Sequence, residues 1–172
     1  INLSTSQATA DVAEALGSRV YRSKVGEANV VALMRRKRAI IGGEGNGGVI
    51  YPAFHAGRDS LVAAALVLSA LARERRSLSN LLATFPKYSI IKTKAPLPGN
   101  FDSKLARFEK GIWKLLEKTT IDRCDGLRFD FEQGWLQLRK SNTEPIYRLI
   151  VETTSDKLTQ DLRRKTLRYF RK

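Results

Sequence analysis

The chain has 172 residues, enough for one domain or two small ones, since domains usually run to about 100–150 residues. A hydrophobic content of 42% excludes a disordered chain. The single Cys124 excludes an internal disulfide and suits a reducing, cytoplasmic setting. The net charge of +14 points to anionic partners: nucleic acid, phospholipid headgroups or phosphorylated small molecules. That charge is spread, with 14 basic against 6 acidic residues in 1–96 and 17 against 11 in 97–172. No membrane partner is expected, because the longest apolar run, Leu61 to Ala72, is too short for the ~20 residues of a bilayer span. No secretory pattern of basic start and apolar stretch opens at Ile1.

Asn2 to Ser6 offers N-cap residues for a helix over 7–16, with Ala8, Val12, Ala13 and Leu16 on one face and Gly17 as its stop. A short strand is expected at Arg19–Arg22. A second helix follows Val25-Gly26-Glu27, with Val30, Leu33 and Met34 as its apolar face and the cations Arg35 to Arg38 at its C-terminus. Ala39-Ile40-Ile41 reads as a buried strand entering a glycine-rich loop. Asp59 reads as the N-cap of a long helix that is apolar on nearly all sides, and a shorter helix runs from Ser77 to Phe85. This alternation predicts an α/β three-layer domain with a mainly parallel sheet over residues 1–96.

Tyr88 to Gly99 reads as a strand and then a Pro/Gly-punctuated connection, where the domain boundary is placed. A helix is expected over 102–118. Leu127, Phe129 and Phe131 alternate with Arg128 and Asp130 as in a half-buried strand, and Gln133-Gly134 turns the chain into Trp135–Arg139. Pro145–Glu152 supplies a third strand and Asp156–Lys172 an amphipathic helix. Residues 97–172 therefore read as a small α+β domain with an antiparallel sheet.

Two loops carry chemistry. Gly42-Gly43-Glu44-Gly45-Asn46-Gly47-Gly48 is neither a dinucleotide fingerprint nor a P-loop. Its Glu44 accepts hydrogen bonds and its Asn46 both donates and accepts, which suits the hydroxyls of a sugar. The same pattern also fits a tight connection whose Glu44 is merely solvated. Arg139-Lys140-Ser141-Asn142-Thr143-Glu144-Pro145 lies between two predicted strands. Its guanidinium, two hydroxyls, an amide and several backbone N–H groups suit a phosphate, with Arg148 as a second cation. An ordinary hairpin turn with an exposed arginine is the alternative.

Together the two loops resemble those of the α-D-phosphohexomutase family, which comprises phosphomannomutases, phosphoglucomutases and phosphoglucosamine mutases. Gly43-Glu44-Gly45-Asn46-Gly47 is similar to the sugar loop of the family's third domain, and Arg139 to Pro145 to the phosphate loop of its fourth. The likeness extends through Ser23-Lys24-Val25-Gly26 and Gly57-Arg58-Asp59. It implies that Glu44 and Asn46 contact sugar hydroxyls and that Lys24 matches a cleft lysine of some members. It further implies that Arg139, Ser141, Asn142 and Thr143 hold the phosphate that is not being transferred. Asn46 replaces a common serine and Gly48 a frequent histidine, which leaves the hexose open. The family's phosphoserine loop and its Mg²⁺-binding aspartate loop have no counterpart here, so no catalytic or metal-binding residue is expected. The resemblance implies an isomerase of carbohydrate metabolism whose intact form uses Mg²⁺ and a hexose 1,6-bisphosphate. This chain would then work with N-terminal domains of the same polypeptide and be inactive alone.

The rival reading is a basic nucleic-acid-binding module, supported by Arg35–Arg38 and by Arg163, Arg164, Lys165, Arg168, Arg171 and Lys172. Apart from the single Tyr169-Phe170 step, aromatics are not interleaved with these cations as a stacking platform requires, which argues against nucleic acid as the partner. His55, just beyond the glycine loop, reads either as a cleft residue or as loop packing.

Overall fold

The computed structural model describes residues 1–112, 116, 118–141 and 143–171. The chain forms two compact units, Ile1–Lys87 and Tyr88–Lys172.

In the first unit α1 (Gln7–Ala15) starts at Ser6, whose side chain accepts from the Ala8 N–H. The next helix, α2 (Glu27–Lys37), opens after Gly26 and ends at Arg38 in the left-handed region. Three short strands follow: β1 (Gly42–Gly43), β2 (Val49–Tyr51) and β3 (His55–Arg58). They pair antiparallel in the order β1-β2-β3, which departs from the mainly parallel sheet expected here. The cause lies in the two segments expected to supply parallel strands. Arg19–Arg22 gains only a short parallel tie to the first residues, with Leu3 N donating to Ser23 O and Ser23 N to Ile1 O, both at 2.9 Å. Ala39–Ile41 has no strand partner among the described residues, and Ile40 stands 78% exposed. The unit is an α/β body whose sheet comes from the hairpins around the glycine loop.

Asp59 caps α3 (Ser60–Glu74) by accepting from Val62 N at 2.9 Å, and Ser77 caps α4 (Leu78–Leu82). The core beneath is small: Val30, Met34 and Ile50, with Val31 and Ala39 packed against them. No residue of α3 is buried; Leu61 is 81% and Leu68 66% exposed.

The second unit begins a strand earlier than the sequence suggests. β4 (Ser89–Pro96), read from sequence as the end of the first domain, pairs along its whole length with β8 (Ile146–Thr153). With β5 (Thr120–Asp122), β6 (Leu127–Phe131) and β7 (Gly134–Lys140) it builds a five-stranded antiparallel sheet in the order β4-β8-β7-β6-β5. Period-two alternation turns Tyr147, Leu149 and Val151 of β8 toward α5 (Phe101–Ile112) and α6 (Asp156–Arg171). There they join Phe101, Phe108, Phe129, Leu136, Leu138, Leu162 and Phe170 in one core. Each such fully buried side chain stabilises the fold by roughly 1.5–3 kcal/mol. Residues 113–115 and 117 of the expected helix over 102–118 lie outside the described residues.

The intervening positions of the sheet mix apolar residues such as Ile150 and Trp135 with polar and charged groups. Trp135 Nε1 donates to Glu152 Oε1 at 2.8 Å, and the Arg128 guanidinium lies 4.0 Å from the Trp135 ring centroid. Arg128 also pairs with Asp130 at 2.6 Å, so a buried cation is compensated twice.

Candidate functional site

The glycine loop is a tight turn between β1 and β2, closed by Glu44 N donating to Gly48 O and Gly47 N to Glu44 O. Gly47 has φ +93°, and a side chain at Gly45 would collide with the Ser4 carbonyl, so two of the glycines are required by geometry. Glu44 turns inward, its side chain only 6% exposed. Asn2 Nδ2 and Gly26 N donate to its Oε1 at 2.9 and 3.0 Å, and Arg58 Nη1 stands 3.3 Å from its Oε2. Arg58 also donates through Nε to Glu27 at 2.6 Å, a contact that holds the Glu27 carboxyl below its ordinary range. Glu44 thus ties the chain start, the Lys24–Gly26 segment and β3 to the loop.

Asn46 is exposed and accepts from Gly48 N through Oδ1 at 3.1 Å, which leaves its amide NH₂ pointing away from that bond. Lys24 is exposed two residues before Gly26. The structure therefore brings Glu44 and the Lys24–Gly26 segment together. Sequence reading did not assign Asn2, Glu27 or Arg58 a part in the loop; only the proximity of Gly57-Arg58-Asp59 in the motif pattern hinted at the last. His55 lies exposed in β3 opposite Tyr51.

In the second unit, Arg139 at the end of β7 is the direct cross-strand partner of Arg148 in β8. Like charges placed opposite each other destabilise a ladder, so the pair asks for an anion. Both Nε atoms are buried without a hydrogen-bond partner among the described residues. Arg148 Nη2 donates to Glu144 Oε2 at 3.1 Å, and Arg139 Nη1 reaches the Lys140 carbonyl at 3.4 Å. Ser141 N is taken by the Ile146 carbonyl at 2.9 Å, so this amide is not one of the free N–H groups the sequence led us to expect. Ser141 Oγ accepts from Thr143 N at 3.5 Å, and Thr143 is exposed. Asn142 lies outside the described residues.

Among the described residues no three His, Cys, Asp or Glu side chains gather. Also among them, no helix is long and apolar enough to cross a membrane.

Residues 1–88 match the family model described as phosphoglucomutase/phosphomannomutase, alpha/beta/alpha domain III, and residues 98–168 match the one described as its C-terminal domain. The chain is 34% identical over 164 residues to a probable phosphoglucosamine mutase of Methanopyrus kandleri, covering 95% of this chain and 36% of that protein. It is 35% identical over 161 residues to a phosphoglucomutase/phosphomannomutase of Thermococcus kodakarensis, covering 92% of this chain and 34% of the relative. A crystal structure of a phosphoglucomutase/phosphomannomutase family protein from Burkholderia thailandensis superposes with a TM-score of 0.78 at 24% identity, covering 98% of this chain and 36% of that one. The chain therefore spans about a third of the length of the curated relatives it matches. With both of its units matched, this chain belongs to the phosphoglucomutase/phosphomannomutase family, of which it carries domain III and the C-terminal domain.

Proposed function

We propose that this chain is the substrate-holding C-terminal part of an enzyme that interconverts hexose 1-phosphates and 6-phosphates through a bisphosphate intermediate. The observation that carries the reading is the Arg139–Arg148 cross-strand pair, two guanidiniums with buried, unpartnered Nε atoms beside Ser141 and Thr143. Guanidiniums bind phosphate bidentately, and hydroxyls complete such a nest. Arg139, Arg148, Ser141 and Thr143, with Asn142, hold the phosphate that is not being transferred. Asn46, Lys24 and Glu44 recognise sugar hydroxyls, with Arg58 fixing the Glu44 carboxylate in place.

Phosphoryl transfer needs an in-line nucleophile and charge compensation. Neither is assigned to a residue here; in the intact polypeptide Mg²⁺ and the nucleophile belong to N-terminal domains. The exposed apolar residues of α3 and α4, among them Leu61, Leu68, Leu78 and Leu82, support a partner surface of that kind. A cytoplasmic setting agrees with a single, exposed Cys124. Amide spectra of the 172-residue chain titrated with mannose 6-phosphate and glucosamine 6-phosphate test the reading. Saturable shifts at Ser141 and Thr143 are expected, lost in Arg139→Met. Turnover of either sugar phosphate by the isolated chain would refute the division of labour.

A further inference from the structure

The arginine pair belongs to a longer row. Strand register places Lys94 of β4 opposite Arg148 of β8, and Arg148 opposite Arg139 of β7. Three cations from three neighbouring strands thus lie side by side, at the ~4.8 Å strand spacing of a sheet. One carboxylate answers them in the described contacts. Glu144 Oε2 is 3.5 Å from Lys94 Nζ and 3.1 Å from Arg148 Nη2, a single oxygen shared by two cations.

The cations and the carboxylate are mounted differently. The cations sit on a hydrogen-bonded ladder, whereas Glu144 sits in the loop just before it, its side chain 44% exposed. Pro145, whose carbonyl accepts from Leu97 N at 3.1 Å, pins the chain immediately beyond. Exposed ion pairs of this kind hold weakly and rearrange readily. A phosphate monoester, carrying about −1.5 to −2, answers a threefold positive row better than one carboxylate does.

We propose that Lys94 is a third cation of the phosphate site and that Glu144 is its built-in counter-ion. In this arrangement Oε2 occupies the place of a phosphate oxygen and leaves when phosphate arrives. The proposal rests on the phosphate-binding role of Arg139 and Arg148. Glu144 keeps the cation row compensated between ligands and competes with every ligand that enters, which sets the affinity of the site from within the loop itself.

Inorganic phosphate titrated into the 172-residue chain, read at the Ser141 and Thr143 amides, tests this directly. Lys94→Gln is expected to weaken binding about fivefold, the effect of one unit charge near 4 Å in water-like surroundings. Lys94→Arg restores it, and Glu144→Gln tightens it by about the same factor, each difference shrinking at high salt. Unchanged affinity in Lys94→Gln, or weaker binding in Glu144→Gln, overturns the proposal while an Arg139→Met loss leaves the phosphate reading standing. Phosphate binding that survives Arg139→Met, or no saturable binding by the unmodified chain, removes both. The Lys94 and Glu144 side chains are solvent-accessible, and unchanged amide positions elsewhere in the sheet report that each variant is folded.

Discussion

The two units solve the problem of holding a polar loop in opposite ways. The second encloses twelve buried hydrophobic residues between a five-stranded sheet and two helices, so its loop hangs from a rigid body. The first has three residues in its central cluster and leaves α3 without a buried position. Its loop is steadied instead by hydrogen bonds and charge: Glu44 gathers Asn2, Gly26 and Arg58 around itself. A rigid body allows side chains at its end to keep unmet hydrogen-bonding capacity, as Arg139 and Arg148 do. A small core requires the loop's own polar groups to act as fasteners.

Substitutions can break this contrast. Leu149→Ala, at a fully buried site, is expected to lower the stability of the second unit by about 2–5 kcal/mol, measured by urea denaturation with a probe in that unit. Leu68→Ser on the exposed side of α3 shifts the first unit by no more than ~0.5 kcal/mol in the same experiment. Glu44→Ala strips an acceptor from Asn2, Gly26 and Arg58 at once, for an expected loss of about 1–3 kcal/mol in the first unit. Equal insensitivity of both units to these changes would end the comparison.

Arg148→Met separates stability from binding. Removing one of two opposed cations is expected to stabilise the second unit by about 0.5 kcal/mol while phosphate affinity falls. Loss of both together would mean that the pair serves the fold. The smallest effect is a pH dependence. Arg58 depresses the folded-state pKa of Glu27 below its ordinary 4.5. The pair therefore contributes fully above the unfolded pKa and is lost as pH falls through the folded one. Acid titration of the unmodified chain and of Glu27→Gln should converge only at the acid end.

Local patterning made much of this legible. The caps at Ser6 and Asp59, the glycine loop and the alternation of Leu127 to Phe131 each depend on neighbours in sequence. The parallel sheet failed because pairing is non-local: Ala39–Ile41 has the composition of a strand but no partner alongside it among the described residues. The placement of β4 failed for the same reason, since its eight pairs are made with a strand some fifty residues away, a separation that no local pattern reports. At the site, residue types in the motifs were readable. The inward turn of Glu44 was not, because its partners Asn2 and Arg58 flank it at distances of 42 and 14 positions.

The margins of the five-stranded sheet have a bearing on solution behaviour. β4 lies at one margin and the three-residue β5 at the other. An unpaired margin is a template for adding strands from other molecules and so for aggregation. β5 is too short to serve well, and β4 sets the exposed Lys92, Lys94 and Pro96 along its length. Charge and a missing N–H are what discourage such addition. Lys94 therefore also guards the margin of the sheet, and an apolar substitution there would remove one of the charges that discourage self-association.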